Sequence, residues 1–258
     1  MTSIKEVKVT YDKWGDDYDS YIAEEKKFSE EAAYCDKIFR KHGVKSVHDC
    51  GCGTGRHTTY FAEWGYYTEG SDLSEGMLAQ ARERAREKGL DIKFTQAAFQ
   101  ELNEKISTKF DGIICAGLGI AHIIDEKELQ KSLANIYQIM NPGGVVIFEN
   151  RRLEEFIGEG NKMHFGPLQV FDKQGRKTLN FRVLSYDGNN TASYNVLSFA
   201  EKDDEAWDYD VRTFPIRTDI TRKLQETLPK IGFSKVDVIK GAEFLPEHGK
   251  TDLTVAVK

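Results

Sequence analysis

Between Ser46 and Asp72 the chain reads SVHDCGCGTGRHTTYFAEWGYYTEGSD, and this stretch leaves few folds open. Val47 to Cys50 is a short apolar strand with Asp49 near its end. Gly51, Gly53 and Gly55 alternate through the turn that follows, where missing β-carbons permit positive φ and let a ligand touch bare backbone. Thr58 to Trp64 continues as a helix, whose first N–H groups have no partner within the helix and face the same ligand. Asp72 falls 19 residues after Gly53 at the end of the next strand, where an open α/β sheet places a carboxylate that accepts hydrogen bonds from a ribose diol. The pattern is GxGxG. Arg56 stands where a dinucleotide loop needs glycine or alanine beneath a pyrophosphate, so the loop suits a sugar and an amino-acid tail without phosphates. Asp49 is placed either to support the loop or to meet an ammonium group.

The remaining pattern extends this unit into a sheet. Ser74 can cap a helix running to about Lys88, with Met77, Leu78, Ala81 and Ala85 on its inner side. Ile92 to Thr95 and Phe110 to Cys115 read as strands three and four, and Glu126 to Met140 keeps a helical period. Asn141-Pro142-Gly143-Gly144 breaks that helix before a fifth strand, Val145 to Phe148, apolar on both sides. Strands alternating with helices predict right-handed crossovers and a parallel sheet, with the ligand crevice at the carboxyl ends of the strands. From Lys162 to Pro215 hairpin signals take over, at Asp172-Lys173-Gln174-Gly175 and Asp187-Gly188-Asn189-Asn190. Leu179 to Tyr186, Ala192 to Phe199 and Trp207 to Phe214 read as antiparallel strands, Ile220 to Ile231 as a helix, and Val236 to Ile239 with Leu253 to Val257 as a closing antiparallel pair. The expected fold is α/β: a doubly wound, mostly parallel seven-stranded sheet with an inserted antiparallel β lid after strand five. One domain spans 1–258, divided into an N-terminal cap (1–43), a cofactor-binding core (44–152), the lid (153–216) and the closing helix and strands (217–258). In the cap, Tyr11, Trp14, Tyr18 and Tyr21 either pack a helix face or form a lid over the ligand.

Composition narrows the partners. With 258 residues, 40% apolar and 11% aromatic, the chain can bury a real core. A net charge of −6, with acids and bases interspersed, is not the footprint of a nucleic-acid binder. The longest mostly apolar run, Gly112 to Ile124, is too short to span a bilayer, and nothing at the start reads as a signal peptide. Cys35, Cys50, Cys52 and Cys115 show no metal-ligand spacing, so no metal is expected and all four read as reduced thiols in a cytoplasm. A small-molecule substrate is expected, and a homo-oligomer stays open.

VHDCGCGTG resembles the first motif of class I S-adenosylmethionine-dependent methyltransferases. The stretch CAGLGIAHIIDEKELQKSLANIYQIMNPGGVVIFENRR is similar to the segment of glycine and glycine/sarcosine N-methyltransferases in which a strand ends in a GNSFAH-like run and PGG leads to a strand ending in a DHRN-like run. With RKHGVKSVHDCGCGTG also in line, the resemblance covers residues 38 to 152. It implies S-adenosyl-L-methionine as cofactor, with Asp72 on the ribose, Ala98 and Phe99 at the adenine, and Ala116, Gly117 and His122 at the methionine part. Asp49, Gly51, Gly53, Gly55, Tyr11, Leu73 and Met77 complete the expected cofactor set. Tyr21, within Tyr21-Ile22, is implied over the active site, and Arg151 falls where the family's arginine grips the substrate carboxylate; Tyr21, His122 and Arg151 form the expected catalytic set. The residues alone leave other readings: a buried His122 satisfied by backbone, and an Arg151 paired with Glu154 or Glu155. The chain departs from the family at Leu118, where it has asparagine, and at Phe99, where it has tryptophan; Lys26 or Lys27 is nearest to the arginine on the cofactor carboxylate. The implied reaction is methyl transfer to a small-molecule acceptor, such as the amine of glycine or sarcosine. The alternatives are another O-, C- or N-acceptor, a nicotinamide oxidoreductase, or a non-catalytic binding module.

If the glycine turn is the cofactor cradle, Gly53→Val should abolish binding of S-adenosylmethionine while the fold largely survives. Calorimetry and circular dichroism check this; a folded variant with parental turnover would remove the turn from the site.

Overall fold

Val145, Val146, Ile147 and Phe148 have no measurable exposure, and successive strand residues point to opposite faces, so this strand is covered on both sides. Val146 and Phe148 pack with Leu133, Ile136 and Leu224 in one layer. Val145 and Ile147 pack with Phe39, Val47 and Phe61 in the other. The structure, a computed structural model, describes residues 4–21, 25–156, 162–173, 176–202, 206–241 and 251–258.

In chain order, α1 (Ile4–Tyr21) and α2 (Glu25–Lys41) precede β1 (Ser46–Cys50), α3 (Arg56–Glu63), β2 (Tyr67–Asp72), α4 (Glu75–Glu87) and β3 (Lys93–Gln96). Then come α5 (Leu102–Lys105), β4 (Phe110–Cys115), α6 (Glu126–Gln138) and β5 (Met140–Arg151). Five strands follow: β6 (Met163–Phe165), β7 (Gln169–Lys173), β8 (Arg176–Tyr186), β9 (Thr191–Glu201) and β10 (Trp207–Arg217). The chain closes with α7 (Ile220–Ile231), β11 (Lys235–Ile239) and β12 (Thr251–Val257). The main sheet has the order β11-β12-β5-β4-β1-β2-β3, and β12 alone runs against its neighbours. This is the expected doubly wound seven-stranded sheet. The second sheet, β10-β9-β8-β6 with β7 also on β8, is antiparallel throughout and enters between β5 and α7.

Local chemistry sets the boundaries. Ser74 caps α4 by accepting from Met77 N–H at 3.1 Å, and Asp125 caps α6 by accepting from Lys127 and Glu128 N–H at 2.8 and 3.0 Å. The Asp187 carboxylate accepts from Asn189 N–H at 2.9 Å and from the Thr191 hydroxyl, closing the turn between β8 and β9. Several expectations need correction. Strand five is longer than Val145 to Phe148, because Met140 pairs with Phe110 across an irregularity in the ladder, so the Asn-Pro-Gly-Gly run starts a strand instead of separating it from the helix. Helix α6 therefore stops at Gln138. Short β6 and β7 were not read as strands, and α3 starts two residues before Thr58. The aromatic cap is one helix, despite Gly15 and four aspartates within it, because Trp14 and Val7 are buried by tertiary contacts.

That helix packs on α4 and lines the crevice at the carboxyl ends of the strands. Asp12 accepts from the Ser74 hydroxyl at 2.7 Å and from Gly76 N–H at 3.3 Å. Asp19 accepts from the Thr54 hydroxyl at 2.7 Å, from Arg56 Nε at 3.1 Å and from Arg84. Backbones approach so closely that a β-carbon on Gly76 would stand 2.5 Å from the Asp12 carbonyl oxygen and 3.0 Å from its Cα. Glycine to alanine in a helix ordinarily gains about 0.5–1 kcal/mol; here rigid backbone blocks the methyl group and reverses the sign. Gly76→Ala should lower Tm and weaken cofactor binding together, as read by thermal melts and calorimetry. A raised Tm with unchanged affinity would place α1 elsewhere.

Candidate functional site

A cleft of about 1090 Å³ opens at the carboxyl ends of the parallel strands, and its floor is the turn after β1. Gly53 has φ +54, and a β-carbon there would meet nothing within 4 Å; the same holds at Gly117, φ +74, after β4. Both glycines therefore offer bare backbone to empty space. Asp72 lines the cleft from the end of β2 and accepts from Gly53 N–H at 2.8 Å with one oxygen and from Ser74 N–H at 2.9 Å with the other. Each oxygen keeps a lone pair for a further donor. Burial pushes its pKa up to about 6 against the opposing effect of those two N–H donors.

Behind the turn lies a buried acid–base group. Asp49 is almost wholly buried and accepts from the Thr58 hydroxyl at 2.6 Å, so it supports the loop. Burial raises its pKa, and His57 and Thr58 oppose that rise. Burial alone would depress the His57 imidazole, but Glu31, 3.6 Å from its Nε2, and then Asp49 outweigh it and leave the pKa above its ordinary value. Asp49, Glu31 and His57 all reach the cleft wall.

The opposite wall comes from α1 and the second sheet. His122 Nδ1 lies 2.9 Å from the Pro215 carbonyl oxygen, which can only accept, so the proton sits on Nδ1 and Nε2 accepts from the Tyr11 hydroxyl at 3.0 Å. Burial lowers the His122 pKa, against the Pro215 carbonyl, and the ring is neutral. Tyr11 also packs on Trp14 and Phe214, with ring centroids 5.9 and 5.0 Å away. Burial pushes the Tyr18 phenol up, Asp72 adding to the rise and Arg151 opposing it, so Tyr18 stays a neutral donor.

Most of the expected site converges. Tyr11, Asp49, Gly51, Gly53, Asp72 and Leu73 line this one cleft, as do Met77, Ala98, Phe99, Ala116, Gly117, His122 and Arg151. The Phe99 ring lies against the turns, 3.1 Å from where a Gly51 β-carbon would stand and 3.4 Å from that of Gly119. Gly117 N–H donates to Glu149, which fixes the turn after β4. Gly55 does not face the cleft; a β-carbon there would press on Ala81 at 3.0 Å, so it serves the packing of the α3 turn against α4. Of the two partners considered for Arg151, Glu155 pairs with Arg152 at 2.9 Å and the side chain of Glu154 lies outside the described residues; Arg151 lines the cleft. The side chains of Tyr21, Lys26 and Lys27 lie outside the described residues. Tyr18, one of the cap aromatics read as a possible lid, lines the cleft, whereas Glu31, His57, Arg182, Tyr194 and Phe214 were missed. Only His57, directly after the glycine turn, carried a local signal.

The glycine backbone open to space and the paired-donor carboxylate of Asp72 fit a nucleoside with an amino-acid tail. Known proteins agree. Residues 47–144 match a family model described as a methyltransferase domain. A glycine/sarcosine N-methyltransferase of Halorhodospira halochloris is 29% identical over 234 residues, covering 88% of this chain and 78% of that protein. Among solved structures, a S-adenosylmethionine-dependent methyltransferase from Clostridium acetobutylicum superposes with a TM-score of 0.75 at 19% identity, covering 96% of this chain and 98% of the other. The sugar N-methyltransferase KedS8 from Streptoalloteichus also gives 0.75, at 20% identity, covering 93% and 92%. Fold and site thus define an S-adenosylmethionine-dependent methyltransferase. Among curated proteins the chain is similar to the glycine/sarcosine N-methyltransferases, at 25–29% identity.

The Asp72 pKa sets a pH dependence. Protonation removes its capacity to accept two hydroxyl donors, so cofactor affinity should fall as pH drops through about 6. Stability runs the other way: a folded pKa above the unfolded value favours the native state below about pH 4, and that contribution is lost as pH rises through about 6. Asp72→Asn should flatten the binding profile and cost about ten- to a hundred-fold in affinity at pH 7.5, the worth of charge-assisted hydrogen bonds. Calorimetry with S-adenosylmethionine across pH tests both; a pH-independent parent removes Asp72 from the cofactor contact.

Proposed function

We propose that this enzyme methylates the amine of a small carboxylate-bearing acceptor, an amino acid such as glycine or sarcosine. The observation that carries this reading is Arg151, at the end of β5, whose side chain lines the same cleft as Asp72 and Gly117. The similarity to glycine/sarcosine N-methyltransferases supports it. When bound, S-adenosylmethionine supplies a methyl group activated by a positive sulfonium, open to in-line attack by an amine lone pair.

The chain's own residues have placement as their task. Asp72 receives the ribose hydroxyls, Ala98 and Phe99 bound the adenine, and the Gly53 and Gly117 backbones let the amino-acid tail lie flat. Arg151 takes the acceptor carboxylate with its planar fork, which orients the amine toward the methyl donor. Holding both reactants in a near-attack geometry supplies on the order of 7–11 kcal/mol. Tyr11, Tyr18 and Trp14 close the cleft from above and exclude water. His122 uses both ring nitrogens on Pro215 and Tyr11, so it positions the aromatic wall, and the amine loses its proton to solvent before it binds.

The competing reading is a larger amine acceptor without a carboxylate, favoured by the size of the cleft. Steady-state kinetics on glycine, sarcosine, their amides and an amino sugar separates the two. The parent should prefer the acids, and Arg151→Lys should cut kcat/KM for them about ten- to a hundred-fold with cofactor affinity nearly unchanged. Preference for amide or amino sugar, or equal slowing of every acceptor by Arg151→Lys, would end the amino-acid assignment.

A further inference from the structure

Arg151 leaves the main sheet beside an apolar wall built from three parts of the chain. Strands β4 and β5 pair in parallel, with Ile114 opposite Ile147 and Cys115 opposite Phe148, and past that pair they continue as Gly117-Leu118 and Asn150-Arg151. Gly117 N–H donates to Glu149, which keeps the two segments together beyond the ladder. Leu118 and Arg151 therefore leave the sheet side by side, and both line the cleft. The inner face of the antiparallel sheet meets them there. Across β8, β9 and β10 its register gives two rows, Leu184–Tyr194–Phe214 and Tyr186–Ala192–Ile216, because cross-strand partners share a face. Leu118 packs with Leu184, Ala192, Ile216 and Tyr194 of these rows, together with Leu153, two residues beyond Arg151.

The chemistry of that wall says which part of an acceptor it meets. Leu118, Ala192, Tyr194 and Phe214 reach the cleft, so the surface beside Arg151 is hydrocarbon and aromatic ring. An acceptor with its carboxylate on Arg151 holds its α-carbon one bond from that carboxylate, and its nitrogen has to face the methyl donor. What is left for the wall is the substituent on the α-carbon. Glycine has none, and would leave the wall against water. An alkyl group covers it, and each methylene buried there tightens binding about fourfold.

We propose that the acceptor is an α-amino acid with an alkyl side chain, and that Leu118 is the residue that selects it. The proposal rests on the reading of Arg151 as the carboxylate clamp and narrows the acceptor within that reading. Carboxylate on Arg151, nitrogen toward the donor and side chain on Leu118 are three contacts, enough to fix one orientation of the α-carbon. The cleft, at about 1090 Å³, has room for the side chain.

Calorimetry of acceptors added to the enzyme loaded with S-adenosylhomocysteine reads binding without turnover, and steady-state kinetics with S-adenosylmethionine reads the transfer. From glycine to alanine to α-aminobutyrate, affinity and kcat/KM should each rise about three- to fivefold per added carbon. Alanine should exceed its isomer sarcosine, which carries the same methyl group on nitrogen. α-Aminobutyrate should exceed serine, which has a hydroxyl in place of the terminal methyl. Leu118→Asn should flatten the alkyl series and leave glycine nearly unchanged; if that variant melts below the parent, Leu118→Ala, which shortens the side chain without adding a polar group, should show the same selective loss. Glycine or sarcosine as the best acceptor, or an alkyl series that survives both Leu118 variants, would overturn the proposal and leave the Arg151 reading standing. Preference for amides over acids removes that reading and the proposal together.

Discussion

The carboxylate of Asp72 joins the turn after β1 to the junction of β2 and α4, 19 residues further along the chain. One oxygen holds the Gly53 N–H of the turn after β1; the other holds Ser74 N–H at the start of α4. Because β1 and β2 run side by side in register, with Asp49 opposite Gly70 and Cys50 opposite Ser71, the end of one strand delivers the acid to the loop leaving the other. Burial raises the pKa of this carboxylate, the electrostatic cost of a charged group on the cleft floor. The two backbone donors offset part of that cost and leave lone pairs facing the ligand space.

Helix α1 completes the floor from outside the sheet. Asp12 reaches the cap of α4 and Asp19 reaches the turn through Thr54, Arg56 and Arg84. Arg56, the residue that spoils a pyrophosphate-binding pattern, is thus employed as an anchor, stacking also on Phe28 with its guanidinium 5.1 Å from the ring centroid. Surface ion pairs alone contribute little. Here they act with the burial of Trp14 beside Met77, Val196 and Phe214, so α1, α4 and the antiparallel sheet meet in one apolar cluster above the cleft.

The antiparallel sheet closes that cluster with residues that no local pattern marks as functional. Tyr194, Phe214 and Pro215 reach the cleft because β9 and β10 lie over it, and His122 ties them to α1 through the Pro215 carbonyl and the Tyr11 hydroxyl. His122 satisfied by a backbone group and His122 on the cleft wall, alternatives in the sequence, are both true of the same ring.

What the sequence determined by itself is the parallel core and its crevice. Alternating strands and helices force crossovers of one hand, glycine spacing forces a bare turn, and an acid at the end of the second strand must face it; each follows from backbone geometry over about 30 consecutive residues. It also marked α7 and the closing pair β11 and β12, whose periods are unbroken. The tertiary structure alone decided the rest. Gly55 turned toward Ala81 because α4 packs there, and α1 became a helix through contacts made more than 60 residues away, at Ser74 and Gly76. Glu31 met His57 across two helices. Arg152, not Arg151, took Glu155, and Arg151 lines the cleft. These are pairings between segments whose separation in sequence carries no distance information, and long-range packing and burial, not propensity, selected among the local options.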